Sequence, residues 1–143
     1  MTSDEGFQDY AIGFLLREAH ERAAAAFATA LEPLGIAGRH FAVLHILDRR
    51  GPLSQRELVD STGSHKASMV RIVDDLETER LAARRPIQGD RRVWSVEITD
   101  HGRETLNEAE HTARLVTAQL LSHLNQDKRE QLTALLTEFV RGA

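Results

Sequence analysis

The chain has 143 residues, 41% of them apolar, which is one domain's worth of sequence with enough apolar material to bury about two-thirds of its unfolded surface. There is no cysteine, which excludes disulfides, thiol redox sensing and cysteine-ligated zinc, and no apolar run of about eighteen residues to span a membrane. The start, Met1 to Gly6, is acidic and polar and does not read as a signal peptide, so a cytoplasmic protein is expected. The net charge of −4 is unevenly spread: residues 39–99 carry eleven Lys/Arg against nine Asp/Glu, and the remainder seven against thirteen. Positive charge is concentrated in the middle of the chain, and the acidic flanks limit non-specific binding to a polyanion.

From about Asp9 to Leu31, Ile12, Leu15, Leu16, Ala19, Ala23, Phe27, Ala30 and Leu31 recur at helical spacing. Glu32-Pro33-Leu34-Gly35 ends that helix. A second helix spans about Gly38 to Arg50 with Phe41, Leu44 and Leu47 as core; Arg49 and Arg50 suit its C-terminus. Pro52-Leu53 reads as a very short strand that pairs with a later hairpin.

Leu53 to Gly102 organises the rest. Ser54 followed three residues later by Glu57 makes a capping box for a short helix anchored by Leu58 and Val59. Ser61-Thr62-Gly63-Ser64 breaks it; Gly63 suits the left-handed residue past a helix end, and Ser64 or Thr62 caps the next helix. That helix runs from about His65 to Arg80 and buries Met69, Ile72, Val73 and Leu76. At about 100° per residue, its other face carries Ser64, Ala67, Arg71 and Asp74, flanked by Ser68 and Val70. Lys66, in the first turn, is within reach of a DNA backbone. Read alone, this is a solvated helix face. It is also a face of small residues around one arginine, able to approach a duplex closely and bond phosphates or base edges.

Ala82 to Pro86 and Arg92 to Ile98 read as two strands joined by a turn at Gln88-Gly89-Asp90. Pro86 marks an edge position. Arg84, Arg85, Arg91 and Arg92 crowd this hairpin, with Asp90 alone opposing them at its tip. Such arginines suit phosphates and a narrow minor groove. From about Asp100 to Leu124 a long helix follows, capped by Thr99 or Asp100, with Leu106, Ala109, Ala113, Val116, Leu120 and Leu124 as one seam. A last helix, about Asp127 to Val140, carries Leu132, Leu135, Leu136 and Phe139. The apolar faces of the first and last two helices exceed what one small domain covers, which predicts pairing with a second chain.

Helix-turn-helix followed by Arg84-Arg85-Pro86-Ile87-Gln88-Gly89-Asp90-Arg91-Arg92 and Ile98-Thr99-Asp100-His101-Gly102 resembles the MarR family of winged-helix transcriptional regulators. The Asp-x-Arg tip and the Ile-Thr-x-x-Gly that opens the next helix carry the resemblance, supported by Val73-Asp74, Leu76-Glu77 and Leu81. It implies a mainly α fold with a small β wing, ordered α1-α2-β1-α3-α4-β2-β3-α5-α6. It also implies one domain over residues 1–143, with dimerisation helices at 9–34 and 103–143 and a DNA-binding region at 38–102. A homodimer binding a pseudo-palindromic double-stranded operator, usually as a repressor and often released by a small ligand, is the implied function.

On that basis Ser54, Gln55, Ser64, His65, Lys66, Ala67, Ser68, Arg71, Arg84, Asp90, Arg91 and Arg92 are the expected DNA-binding residues. Ile12, Leu15, Leu16, Leu120, Leu124, Leu136 and Phe139 are expected at the dimer interface. The family's effector cleft lies between the first, second and fifth helices. His20, His40, His45 and His111, with Arg17, are the candidates there for an anionic or phenolic ligand. Urate-binding members carry a tryptophan in the first helix, whereas the single tryptophan here is Trp94, in the wing.

Two alternatives stay open. One is a zinc-responsive regulator of the same fold, although the seven histidines form no H-E-x-x-H and no i,i+4 pair. The other is a winged helix used for protein contacts, against which the wing arginines argue. No G-x-S-x-G, P-loop or Rossmann glycine pattern is present, so neither a cofactor nor an enzyme is expected.

Overall fold

The computed structural model of the chain describes residues 3–142 other than 88–89, and of residues 3–5, 7, 9 and 90–92 the backbone alone. The elements follow the expected order: α1 (Ser3–Leu31), α2 (Gly38–Arg50), β1 (Leu53–Ser54), α3 (Gln55–Thr62), α4 (Lys66–Thr78), β2 (Ala82–Ile87), β3 (Asp90–Ile98), α5 (Asp100–Leu120) and α6 (Gln126–Arg141). A short 3-10 turn, Glu32–Leu34, joins α1 to α2. Among the described residues no helix is long and apolar enough to cross a membrane.

One core lies beneath the helix-turn-helix. Val43, Leu44 and Leu47 of α2, Leu58 of α3, Met69, Ile72, Val73 and Leu76 of α4, Val96 of β3 and Leu106 and Ala109 of α5 are all buried and packed together. Leu44, Leu47, Leu58, Met69, Ile72, Val73, Leu76, Leu106 and Ala109 are positions that helical periodicity set on an apolar face, and burial of one face of each helix fixes how they stack. The sheet order is β1-β3-β2, all antiparallel, with Leu53 opposite Val96, Ser54 opposite Ser95 and Arg84 opposite Val96. β3 is therefore the central strand. Pro86, opposite Trp94, stands on the outer edge strand, where its missing N–H leaves no gap in the ladder. The pairing shifts between Pro86 and Ile87. The expected turn at Gln88-Gly89-Asp90 falls largely outside the described residues.

Local signals set the boundaries. Ser54 Oγ accepts the Glu57 N–H at 3.1 Å, and the Ser54 N–H donates to Glu57 Oε1 at 3.2 Å, which completes the capping box. Gly63 ends α3 at φ +70° and donates its N–H to the Val59 carbonyl. Thr99 caps α5: its Oγ1 accepts the Gly102 N–H at 2.9 Å and donates to the Arg80 carbonyl at 2.7 Å, while its own N–H donates to the Leu81 carbonyl at 3.0 Å. A Cβ on Gly102 would stand 2.0 Å from that same Leu81 oxygen. The Ile-Thr-x-x-Gly run is thus a joint: it brings the start of α5 against the corner between α4 and β2, and only glycine fits at its fourth position after Ile98.

Several boundaries differ from the sequence expectation, among them those of the wing strands, where β2 runs on to Ile87 rather than ending at Pro86 and β3 begins at Asp90 rather than Arg92. α1 begins six residues earlier, at Ser3 rather than Asp9. α4 is not capped by Ser64 or Thr62. His65 takes the cap position without a side-chain bond, and the Thr62 hydroxyl accepts the Ser64 N–H at 3.3 Å inside the turn. α4 stops at Thr78 rather than Arg80, because Arg80 enters the left-handed region at φ +60° to turn the chain into β2. α5 ends at Leu120, not Leu124. Arg129 of α6 donates from Nε to the Leu121 and Leu124 carbonyls, at 3.1 and 2.9 Å, and so satisfies a chain that has already left the helix.

Candidate nucleic-acid interface

With Met69, Ile72, Val73 and Leu76 committed to the core, α4 turns Lys66, Ala67, Ser68, Val70, Arg71 and Asp74 outward, all exposed. Ser64 is half-buried in the turn and His65 is exposed at the helix start. The side chains of Lys66 and Arg71 have no ion-pair or side-chain hydrogen-bond partner among the described residues. Such cations beside alanine and serine on an exposed helix face are chemically available to phosphates and guanine edges.

The wing is fastened to this helix by Arg84. Its Nε donates to Gln55 Oε1 of α3 at 3.0 Å and its Nη1 lies 2.8 Å from Asp74 Oδ1 of α4. The same guanidinium pairs with Glu77, and the Arg84 backbone N–H donates to Glu77 Oε2 at 3.4 Å. One arginine from β2 thereby joins both helices of the helix-turn-helix. Arg85 on the next position pairs across the ladder with Glu97. Of the residues expected at DNA, Ser54, Gln55 and Arg84 therefore have side chains engaged inside the protein, whereas Lys66, Ala67, Ser68 and Arg71 share one open face. The side chains of Asp90, Arg91 and Arg92 lie outside the described residues; their backbone opens β3 at the end of the wing.

A concave surface of about 380 Å³ runs alongside α4, lined by Arg39, Ser68, Arg71, Ile72, Asp74 and Asp75. Arg39, at the start of α2, has no side-chain partner among the described residues. Sequence reasoning missed it; the only local signal was an unpaired cation at a helix start, where a cation has no helical role.

The candidate effector residues are not gathered in one place. A largely apolar cavity of about 510 Å³ opens between α1 and α2, walled by His20, Ala24, Phe27, Leu31, Arg39 and Phe41, with Ala113 of α5 on its rim. Of the five candidates only His20 lines it. Arg17 is exposed and pairs with Glu21 along its own helix at 3.2 Å. His45 stacks on Phe41 with ring centroids 6.4 Å apart, its Nδ1 3.6 Å from Glu110 Oε1. His111 is exposed on α5. His40 is buried and holds α2 on α4: Nδ1 accepts the Ala37 N–H at 2.9 Å, which leaves Nε2–H to donate to Asp75 Oδ2 at 2.9 Å. No group of three histidines or acids able to hold a metal occurs among the described residues.

The dimer candidates Ile12, Leu15, Leu136 and Phe139 are exposed, along with Tyr10, Phe14, Leu115, Leu135 and Val140 on the same three helices; Leu16, Leu120 and Leu124 are half-buried. This is far more exposed apolar surface than scattered single residues leave on a monomer.

Comparison with known proteins accords with this layout. Residues 34–93 match the sequence profile of the MarR family. Over 129 residues, covering 90% of this chain and 82% of the relative, the sequence is 31% identical to the HTH-type transcriptional repressor NicR of Pseudomonas putida. The fold superposes with a TM-score of 0.86 on the transcriptional repressor CouR bound to a 23-mer DNA duplex, which is 28% identical, with 95% of this chain and 96% of that one covered. It superposes with a TM-score of 0.82 on BpsR of Bordetella bronchiseptica, 27% identical, with 91% and 98% covered, a protein whose DNA binding is regulated by 6-hydroxynicotinic acid. A helix-turn-helix with an open reading face, a wing latched to it and a sequence related at this level to a repressor over nine-tenths of its length lead to one conclusion: the chain belongs to the MarR family and is a winged-helix, DNA-binding transcriptional regulator.

Proposed function

We propose that the protein represses transcription by binding a pseudo-palindromic operator as a homodimer, with α4 of each protomer in the major groove and the wing tip in the adjacent minor groove. The observation that carries this reading is the exposed row of Lys66, Ala67, Ser68 and Arg71, whose two cations have no partner among the described residues, set beside a wing fixed to the same helix through Arg84. Arg71 is the base-reading candidate, Lys66 a phosphate contact, and Ser64 and His65 flank the helix entry. Arg92, or its neighbour Arg91, enters the minor groove, and Asp90 orients an arginine there. Ser54, Gln55 and Arg84 act by holding the reader in shape.

The terminal helices, residues 9–34 and 103–143, form the dimer. Exposed Ile12, Leu15, Leu136 and Phe139 supply an apolar face of the kind a subunit interface covers. The α1–α2 cavity takes a small anionic or phenolic effector that releases DNA; NicR, named a repressor, and BpsR, regulated by 6-hydroxynicotinic acid, support both halves of this reading. The test is selection of bound duplexes from a random library, followed by anisotropy titration at several salt concentrations. A two-fold symmetric site with half-sites about one helical turn apart is expected. Binding without sequence preference would overturn the reading.

A further inference from the structure

Arg39 lines two cavities at once. With His20, Phe27 and Phe41 it walls the α1–α2 cavity, and with Ser68 and Arg71 it lines the concave surface beside the reading helix. The two spaces share Arg39, in the first turn of α2. That turn is pinned: His40 accepts the Ala37 N–H and bonds Asp75 of α4. The backbone under Arg39 is thus held while its guanidinium, exposed and without a partner among the described residues, is left at the end of a flexible stem.

The charges around it differ on the two sides. No acid lines the α1–α2 cavity, and its walls are mostly alanine, leucine and phenylalanine. A carboxylate entering there finds the Arg39 guanidinium and the His20 imidazole on the wall, in surroundings that screen less than open water. On the other side Asp74 is paired with Arg84, while Asp75 accepts a hydrogen bond from His40 and keeps its charge; Arg39 and Arg71 line that surface with no partner among the described residues. Guanidinium binds carboxylate and phosphate with the same two-pronged geometry.

We propose that Arg39 is shared between effector and DNA. With the cavity empty it bonds a phosphate beside α4; a small aromatic carboxylate, its ring between Phe27 and Phe41, draws the guanidinium into the cavity and removes that contact. This rests on the effector-cavity reading above and assigns it a ligand class and a residue through which release operates.

The test uses the lack of cysteine in the chain. Ala24→Cys places a single thiol on the cavity wall. Reaction with dithiobis(nitrobenzoate) tethers an aromatic carboxylate there, and reaction with dithiodipyridine tethers a neutral ring of similar size. Affinity for a library-selected duplex is then measured for each adduct, with Arg39 intact and as Arg39→Gln. The carboxylate adduct is expected to weaken binding about tenfold and the neutral adduct markedly less, within the usual range of coupling between sites. Arg39→Gln alone should reduce affinity and flatten the salt dependence by about 0.9 in slope, and in it the two adducts should act alike. Equal effects of both adducts with Arg39 present, a carboxylate penalty that survives Arg39→Gln, or an unchanged salt slope would each overturn the shared arginine while leaving the cavity reading standing. If neither adduct alters DNA binding, both fall together.

Discussion

The guanidinium of Arg84 on the first wing strand stands 2.8 Å from the carboxylate of Asp74 on the reading helix, and both belong to surfaces that a charge count would assign to DNA. The pair instead ties wing to helix. Arg84→Ala should therefore lower stability by about 1–2 kcal/mol, the worth of charge-assisted bonds discounted for a half-exposed Asp74. It should weaken operator binding with little change in salt slope, because no phosphate contact is lost. Urea unfolding and anisotropy across salt concentrations measure both; a slope shallower by about one unit would make Arg84 a phosphate contact after all.

Arg71 has the opposite character, exposed and unpartnered among the described residues. Arg71→Ala should relax sequence preference, with a loss of about 1–3 kcal/mol on the selected site and much less on random duplex. Fold and assembly should persist, as circular dichroism and sedimentation would register. Equal weakening on both duplexes would reduce Arg71 to a backbone contact.

At the wing tip, Arg92→Ala should cut affinity and lower the salt slope by about one unit. Asp90→Ala should also weaken binding even though it removes a negative charge, if the carboxylate orients an arginine as proposed. Tighter binding by Asp90→Ala would show that Asp90 is only an electrostatic penalty.

Gly102→Ala drives a methyl to 2.0 Å from the Leu81 carbonyl oxygen and 2.8 Å from Ile98 Cγ1. Either α5 shifts or the Thr99 N–H bond to Leu81 breaks, and a loss of about 3 kcal/mol or more is expected, at or beyond the upper end for overpacking. Thermal unfolding monitored by circular dichroism would detect it. A variant as stable as the parent would mean that the joint is looser than its contacts indicate.

Leu136→Glu puts a charge on the apolar face of α6. If that face is covered by a second protomer, burial of the unpaired carboxylate dissociates or unfolds the protein. Sedimentation at micromolar concentration should show the parent as a dimer; a well-folded parent monomer would end the dimer reading.

Local chemistry was legible in the sequence and distant pairing was not. Ser54 with Glu57, Gly63, Thr99 and the Met69–Ile72–Val73–Leu76 stripe all depend on neighbours within a few residues, and each stands where spacing placed it. Arg84 is 29 residues from Gln55, and His40 is 35 from Asp75. Nothing in either stretch marks these partners, so Arg84 read as a free wing cation and His40 as a pocket residue. The five effector candidates scattered for a related reason: helical spacing says which residues share a face, but not which face a neighbouring helix leaves hollow. The early end of α5 was hidden because Leu121 and Leu124 continue its apolar pattern, while the arginine that serves their carbonyls sits in the following helix.

Ser54 belongs to two elements, ending β1 opposite Ser95 of the central strand and capping α3 through its hydroxyl. Because β3 runs from that pairing out to the wing tip, a push on the tip is transmitted along one strand to the first turn of α3, and through Arg84 to α4 as well. Wing and helix-turn-helix are thus joined at two places, through Ser54 and through Arg84. In the proposed dimer, adjustment to an operator would then come from the angle between two such units rather than from the joint between wing and helix-turn-helix.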